Sequence, residues 1–112
     1  MMEEQKIYKS DLTLREKELF IVGVGASAGG LEALQQFFRF MPANSGLSFV
    51  VVQHLAPDYK SLMADILGKY TEMMVLQAEN GMEMEPNRVY LIPPKMNITY
   101  QDGKLYLKEY IQ

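Results

Sequence analysis

The feature that most constrains the fold is an apolar stretch that runs directly into a glycine-rich turn, FIVGVGASAGG at residues 20–30. A helix-like pattern follows this turn. Glycine reaches strained backbone angles at little cost and lets other groups approach closely, so this order of residues is typical of a strand, a tight turn and a helix. The stretch therefore predicts the first unit of an α/β fold.

The turn fits two functional patterns. Gly25, Ser27 and Gly29 match G-x-S-x-G, the strand–turn–helix motif in which a sharp turn exposes a serine nucleophile. Gly23, Gly25 and Ala28 match the looser G-x-G-x-x-G/A pattern of a dinucleotide-binding turn. The residues at the end of the next strand discriminate between the two patterns.

That next strand is predicted at residues 47–53, and it leads directly into His54. A dinucleotide-binding fold needs an acidic residue at this place to bind the ribose, and no Asp or Glu lies between Ala33 and Pro57. Ser27 and His54 each follow a strand of one parallel sheet, so both are expected at its carboxyl edge. Histidine is the side chain best suited to take a proton from serine near neutral pH. The sequence therefore favours a hydrolase over a dinucleotide-binding protein.

Length, charge and composition exclude several other classes. A chain of 112 residues has room for one domain, and its net charge of −3 gives no basic surface for nucleic acid. The chain has no cysteine, which excludes disulfides and thiolate metal sites. No apolar run approaches the length of a membrane span, so we expect a cytoplasmic protein without membrane insertion.

The pattern along the chain predicts strands and helices in alternation. After a flexible leader at residues 1–18, the predicted elements are strands at 19–24, 47–53, 73–78 and 88–92, helices from the glycines to Met41 and from Pro57, and a hairpin at 97–111 around Asp102 and Gly103. The first helix has an apolar stripe of Leu31, Leu34, Phe38 and Met41, and the second has one of Tyr59, Leu62, Met63, Ile66 and Tyr70.

This order predicts an α/β fold with a Rossmann-like, three-layer core around a parallel sheet and an antiparallel C-terminal hairpin as an appendage. We expect the core to be incomplete. Val50, Val52 and the strand at 88–92 are expected to border missing elements, and self-association through an exposed sheet edge is expected as a result.

Each candidate residue also has an ordinary structural interpretation. A glycine-rich turn after a strand often serves only helix–sheet packing, and a lone histidine is more often a surface or core residue than a base. No third triad member stands out, because Asp58, Asp65 and Asp102 all have local explanations. A nucleotide- or phosphate-binding module and a non-catalytic interaction domain therefore remain as alternatives.

Three blocks of this sequence resemble the CheB-type protein-glutamate methylesterases of bacterial chemotaxis. Residues 21–33 are similar to the serine segment of that family, and residues 51–57 are similar to its histidine segment. Residues 79–81, followed by Pro86 and by residues 89–94, are similar to its third block. The resemblance covers about residues 19–110.

The resemblance implies a function and a set of roles. Ser27 would be the nucleophile and His54 the base, and backbone N–H groups near Ala28 and Gly29 would stabilise the oxyanion. The substrate would be a glutamate methyl ester on a methylated chemoreceptor, and no cofactor is implied. Ala28 stands where the family commonly has threonine. An alanine at this position is similar to the sequence of methylesterase–methyltransferase fusion proteins. The family's triad aspartate lies in a later block, so residues 19–112 are expected to be the N-terminal part of such a domain, with little activity alone.

Overall fold

Two sheets and two helices make up the residues that the computed structural model describes, which are 19–26, 31–53 and 60–109. In chain order the elements are β1 Phe20–Ala26, α1 Leu31–Phe40, β2 Leu47–Gln53, α2 Lys60–Gly68, β3 Met74–Gln77, β4 Met82–Glu83, β5 Arg88–Ile92, β6 Met96–Gln101 and β7 Lys104–Glu109. The predicted leader at residues 1–18 lies outside the described residues.

The central layer is a parallel sheet with the strand order β1-β2-β5-β3. Strand β2 has the bounds that its sequence predicted, and it is buried on both faces. Phe49 and Val51 belong to the core on one face, and Val50 belongs to the core on the other. An unbroken apolar run is the pattern expected of such a strand, because both of its faces are removed from water.

The two helices cover one face of this sheet. Helix α1 contributes Leu34 and Phe38, the two central residues of its predicted stripe, and it ends before Pro42, which cannot continue a helix. The rings of Phe38 and Phe49 meet edge to face at 5.3 Å. Glu32 in the first turn and Arg39 in the last turn have the charges that favour the helix dipole.

Helix α2 buries one residue of its predicted stripe, Met63, and one residue outside it, Leu67. Met63 and Leu67 are buried at i and i+4, whereas Ile66 and Tyr70 are only half-buried. Leu67 was absent from the predicted stripe. The spacing of apolar residues on this short helix fits two overlapping faces, and only the packing against the sheet decides between them.

The second sheet is antiparallel, with the order β4-β7-β6. The predicted hairpin turn is confirmed, because Asp102 and Gly103 both have positive φ, at 52° and 82°, as a tight two-residue hairpin requires. The sequence did not predict β4, which is two residues long and exists through its pairing with β7.

The expectation that this hairpin is only an appendage is wrong. Leu105 of β7 is buried against Val50 and Tyr90, so the antiparallel sheet forms the third layer of the core, on the face opposite the helices. The expectation that Val50 and the strand at 88–92 border missing elements is also wrong. Val50 is 3% exposed, and β5 lies between β2 and β3. Among the described strands, β1 and β3 are the edges of the parallel sheet.

The three crossover connections between the parallel strands can be compared by their direction and by the face on which they lie. From β1 to β2 and from β2 to β3 the chain moves across the sheet in one direction, with α1 and α2 on the same face. From β3 to β5 it moves back, with β4 on the opposite face. Reversing both the direction and the face preserves the hand, so the three crossovers share one hand, in agreement with the strong preference for a single hand in parallel sheets.

Candidate active site

The carboxyl ends of the parallel strands lie at one edge of the sheet, where the sequence predicts the site. Ala26, the last residue of β1, is paired with Gln53, the last residue of β2. On the other side of β2, Val52 is paired with Ile92, the last residue of β5. The three strands therefore end at nearly the same level, as ligand sites in open α/β sheets require.

The predicted site residues themselves, Ser27, His54, Ala28 and Gly29, lie outside the described residues. In the sequence, Ser27 follows Ala26 and His54 follows Gln53. The structure thus describes the strands that lead to the serine and the histidine, and it shows that these strands are direct neighbours.

The strand order also has a switch point at this edge. The connection that follows β2 leads to α2 on the helix face, whereas the connection that follows β5 leads to β6 on the opposite face. The elements that follow β2 and β5 thus lie on opposite faces of the sheet, and the carboxyl edge at such a switch point is the usual place for a ligand in an open α/β sheet.

A cavity of about 330 Å³ lies between the β1–β2 side of the parallel sheet and the β6–β7 hairpin. Gly23 and Gly25 form part of its wall, and a Cβ atom built on either glycine would meet no atom within 4 Å. The rest of the wall is mainly aliphatic and aromatic, from Ile21, Val24, Val50, Val52, Met84, Ile98, Thr99, Tyr100 and Leu105. Gly25 is paired with Val52, one residue before the ends of both strands, so the cavity reaches the carboxyl edge.

The sequence predicted a first strand at residues 19–24, which leaves Gly25 to the turn. The structure extends β1 to Ala26, so Gly23 and Gly25 both lie within the strand and line the same cavity. The signal was present in the alternation G-V-G, because alternate residues of a strand point to the same face. The missing side chains at these two positions leave the cavity open next to β1.

A second group of residues, not predicted from the sequence, fixes the opposite edge of the sheet. The Ser48 hydroxyl is buried and donates a hydrogen bond of 2.7 Å to the carbonyl of Glu85, whose N–H donates one of 2.7 Å to the Tyr90 hydroxyl. Asn87, with a positive φ of 63°, accepts from the N–H of Gly46 at 2.6 Å and donates its own N–H to the Leu47 carbonyl. These bonds hold β2 and β5 in register, and that register carries through to the carboxyl edge.

Two classes of feature are absent from the described part of the chain. Its residues contain no group of three or more His, Cys, Asp or Glu side chains that could hold a metal ion. None of its helices is long and apolar enough to cross a membrane.

Comparison with known proteins gives one consistent family. The family profile described as CheB methylesterase matches residues 22–111. A protein-glutamate methylesterase/protein-glutamine glutaminase of Thermotoga maritima is 34% identical over 88 residues, which are 77% of this chain and 26% of that protein. A protein of the same name, numbered 2, from Shewanella sp. strain MR-4 is 38% identical over 93 residues, which are 80% of this chain and 25% of that protein.

A solved structure shows the same fold. The crystal structure of the Thermotoga maritima CheB methylesterase catalytic domain matches with a TM-score of 0.74 and 31% sequence identity, over 85% of this chain and 52% of that chain. This likeness confirms the predicted α/β class with its parallel sheet and antiparallel hairpin. The chain spans about a quarter of the curated relatives and about half of the solved catalytic domain.

Proposed function

Since the chain belongs to the CheB methylesterase family, we propose that it carries the serine and the histidine of a protein-glutamate methylesterase that acts on methylated chemoreceptors. The relatives matched over 77–80% of this chain are named protein-glutamate methylesterase/protein-glutamine glutaminase, which supports the proposal. The compartment that we propose is the cytoplasm, and the partner is the methylated receptor itself.

One observation carries the assignment of residues. Ala26 and Gln53 are paired at the ends of neighbouring parallel strands. Such strands lie about 4.8 Å apart, so the residue that follows each strand starts within one or two side-chain lengths of the other. Ser27 and His54 are those residues. The pairing supports Ser27 as the nucleophile and His54 as its general base.

The proposed reaction is acyl transfer in two steps. His54 takes the hydroxyl proton of Ser27 while the serine oxygen attacks the ester carbonyl of the methylated glutamate. The backbone N–H groups of Ala28 and Gly29 stabilise the oxyanion, and methanol leaves with the proton from His54. Water, activated by His54, then hydrolyses the acyl-enzyme and releases the glutamate carboxylate. The same steps on a glutamine side chain release ammonia, which corresponds to the second activity in the relatives' name.

The activity of the 112-residue chain alone is proposed to be low. The resemblance puts the triad aspartate in a block outside these residues, and the chain spans 52% of the solved catalytic domain. In a chymotrypsin-type triad, replacing the aspartate lowers kcat by about 10⁴ because the histidine tautomer is no longer fixed. Ester turnover at an ordinary enzymatic rate by this chain would contradict the low activity without contradicting the role of Ser27.

Labelling with a fluorophosphonate tests the nucleophile directly, since the reagent needs an activated serine and no acyl-enzyme turnover. We expect slow labelling of the wild-type chain, because the histidine is not fixed by an aspartate, loss of labelling in Ser27→Ala and in His54→Ala, and no change in Ser45→Ala. Ser45 is a matched control because it is exposed and lies at the opposite edge of the sheet, before β2. Labelling that survives Ser27→Ala would overturn the assignment, and a folded chain that never labels would favour a non-catalytic interaction domain.

A further inference from the structure

The turn between β3 and β4, at residues 78–81, contains the only Asn-Gly pair of this sequence, Asn80 and Gly81. In such a pair the glycine nitrogen attacks the side-chain amide carbon of the asparagine, and the absence of a glycine side chain leaves the approach unhindered. The new C–N bond closes a five-membered succinimide ring, and the amide group leaves as ammonia with the proton from the glycine nitrogen. Water then opens the ring at either carbonyl and gives aspartate or isoaspartate. The pair is therefore a candidate site of covalent modification.

Hydrogen bonds to β7 hold both residues of this pair. The Gly81 N–H donates to the Leu105 carbonyl at 2.7 Å, and the Leu107 N–H donates to the side-chain carbonyl oxygen of Asn80, Oδ1, at 2.8 Å. Strand β4 itself pairs with β7 over only two residues. The turn thus extends the ladder in front of β4, and the Asn80 side chain supplies an acceptor where a strand would supply a backbone carbonyl.

We propose that Asn80 is a deamidation site that β7 keeps unreactive in the folded chain and that reacts when β7 separates from the turn. Ring closure turns the Gly81 nitrogen into an imide nitrogen without hydrogen, so the bond from Gly81 to Leu105 must be lost for the ring to form. The bond from Leu107 holds the other reacting group, the Asn80 amide. Asn80 is exposed to water, so the two hydrogen bonds, and not burial, protect the pair.

The backbone of the turn requires the residue that makes the pair reactive. Gly81 has a φ of 84°, which residues with a side chain adopt only at a cost. Asn80 in turn supplies the acceptor for Leu107. Both residues therefore have a structural role in the folded turn, and the same structure restrains the reaction between them.

The two products are expected to affect the antiparallel sheet differently. Aspartate keeps a carboxylate oxygen in the position of Oδ1, so it can still accept from Leu107. Isoaspartate adds one carbon to the main chain of the turn and moves this oxygen, so the bond to Leu107 is lost. Leu105 and Leu107 pack in the core on this face of the parallel sheet. A chain that carries isoaspartate at residue 80 is therefore expected to hold β7 less firmly than before.

Peptide mapping by mass spectrometry tests the proposal on the full chain, incubated at mildly alkaline pH either folded or in enough urea to unfold it. We expect Asn80 to react at least about tenfold faster in urea, because the ladder hydrogen bonds are then broken. Ser45→Gly supplies the matched control, since it places a glycine after Asn44 in the exposed loop before β2. In that variant Asn44 should react at similar rates in the two conditions. The same urea-to-folded ratio at both asparagines overturns the proposal, as does an Asn80 that stays intact in urea.

Amide hydrogen exchange tests the protection independently of the reaction. We expect the N–H groups of Gly81 and Leu107 to be protected in the wild-type chain, and Asn80→Ala to speed exchange at Leu107 by about tenfold or more, because its acceptor is gone. Ala78 is the control, since its N–H donates to the Leu91 carbonyl at 2.8 Å and should exchange at an unchanged rate. Free exchange at Leu107 in the wild-type chain overturns the proposal. Conditions that speed exchange at Gly81 without speeding deamidation of Asn80 overturn it as well.

Discussion

The two faces of the parallel sheet are buried by different means and to different extents. On the helix face, α1 and α2 bring large side chains onto β2 and β5, and Phe38, Phe49 and Leu67 are fully buried. On the opposite face, the antiparallel sheet covers β5 closely, with Tyr90 and Leu105 buried, but it leaves a cavity of about 330 Å³ over β1 and β2.

This difference shows that side chains pack less tightly between β1 and the antiparallel sheet than on the helix face. Two glycines on alternate positions of β1 supply no side chains to the opposite face, so the antiparallel sheet has nothing to pack against there. The gap reaches the carboxyl edge, next to the strand ends that lead to Ser27 and His54. One face thus provides stability, and the other leaves space beside the proposed site.

The largest effect is expected from Phe38→Ala on the helix face. Phe38 is fully buried and meets the rings of Phe37 and Phe49 at 5.0 and 5.3 Å, so its loss removes a ring from the centre of the core. We expect the free energy of unfolding to fall by about 3–5 kcal/mol, measured by urea denaturation. Phe40→Ala is the control, because Phe40 is 76% exposed, and it should change that free energy by about 0.5 kcal/mol or less. Similar losses in the two variants would contradict the tight packing of this face.

A smaller loss is expected from Leu105→Ala, the matching substitution on the opposite face. Leu105 is buried, but it also lines the cavity, so the truncated site opens into existing space. The expected loss is about 2–3 kcal/mol, at the lower end of the range for buried leucine. Lys108→Ala, an exposed position on the same strand, should be nearly neutral. A loss for Leu105→Ala as large as that for Phe38→Ala would mean that the two faces are equally tight.

Local sequence predicted the elements of both faces better than it predicted how they pack. The bounds of β2 follow from one unbroken apolar run, and the hairpin turn follows from Asp102 and Gly103, which tolerate positive φ. Strand β4 has no local signal of comparable strength, because its two residues become a strand only by pairing with β7. The sequence analysis also missed that the hairpin forms a third layer. The reason is the same, because the local residue pattern does not indicate which distant segments pack together.

At the candidate site, too, the sequence predicted the strands but not the space between the layers. The pairing of Ala26 with Gln53 agrees with the expectation that the strands before Ser27 and His54 belong to one parallel sheet, and it shows that these strands are neighbours. Ser27 and His54 lie outside the described residues, so their roles remain predictions. The cavity was missed because glycines near a turn suggest backbone freedom first, whereas Gly23 and Gly25 act here through the absence of a side chain.

Ser48→Ala tests whether the hydrogen bonds at the edge of the sheet opposite the proposed site stabilise the face away from the helices. The Ser48 hydroxyl is buried and donates to the Glu85 carbonyl at 2.7 Å, so alanine leaves that carbonyl without its donor. We expect a loss of about 1.5 kcal/mol in the free energy of unfolding. Tyr90→Phe removes the acceptor for the Glu85 N–H, and a double-mutant cycle should show coupling, because both side chains hold the same residue. Additive losses would mean that the two bonds act independently.

The smallest effect, and the one with the opposite sign, is expected from Gly23→Ala. Gly23 does not have a positive φ, and an added Cβ would meet no atom within 4 Å, so alanine enters the cavity without strain. Alanine also restricts the unfolded chain more than glycine does, and we expect a gain of about 0.5 kcal/mol at low protein concentration. Gly103→Ala is the contrasting control, since its φ of 82° should cost about 1 kcal/mol. A clear decrease in the free energy of unfolding for Gly23→Ala, measured by thermal or urea denaturation, would show that the face beside β1 has no free space. The two faces would then not differ in packing at Gly23.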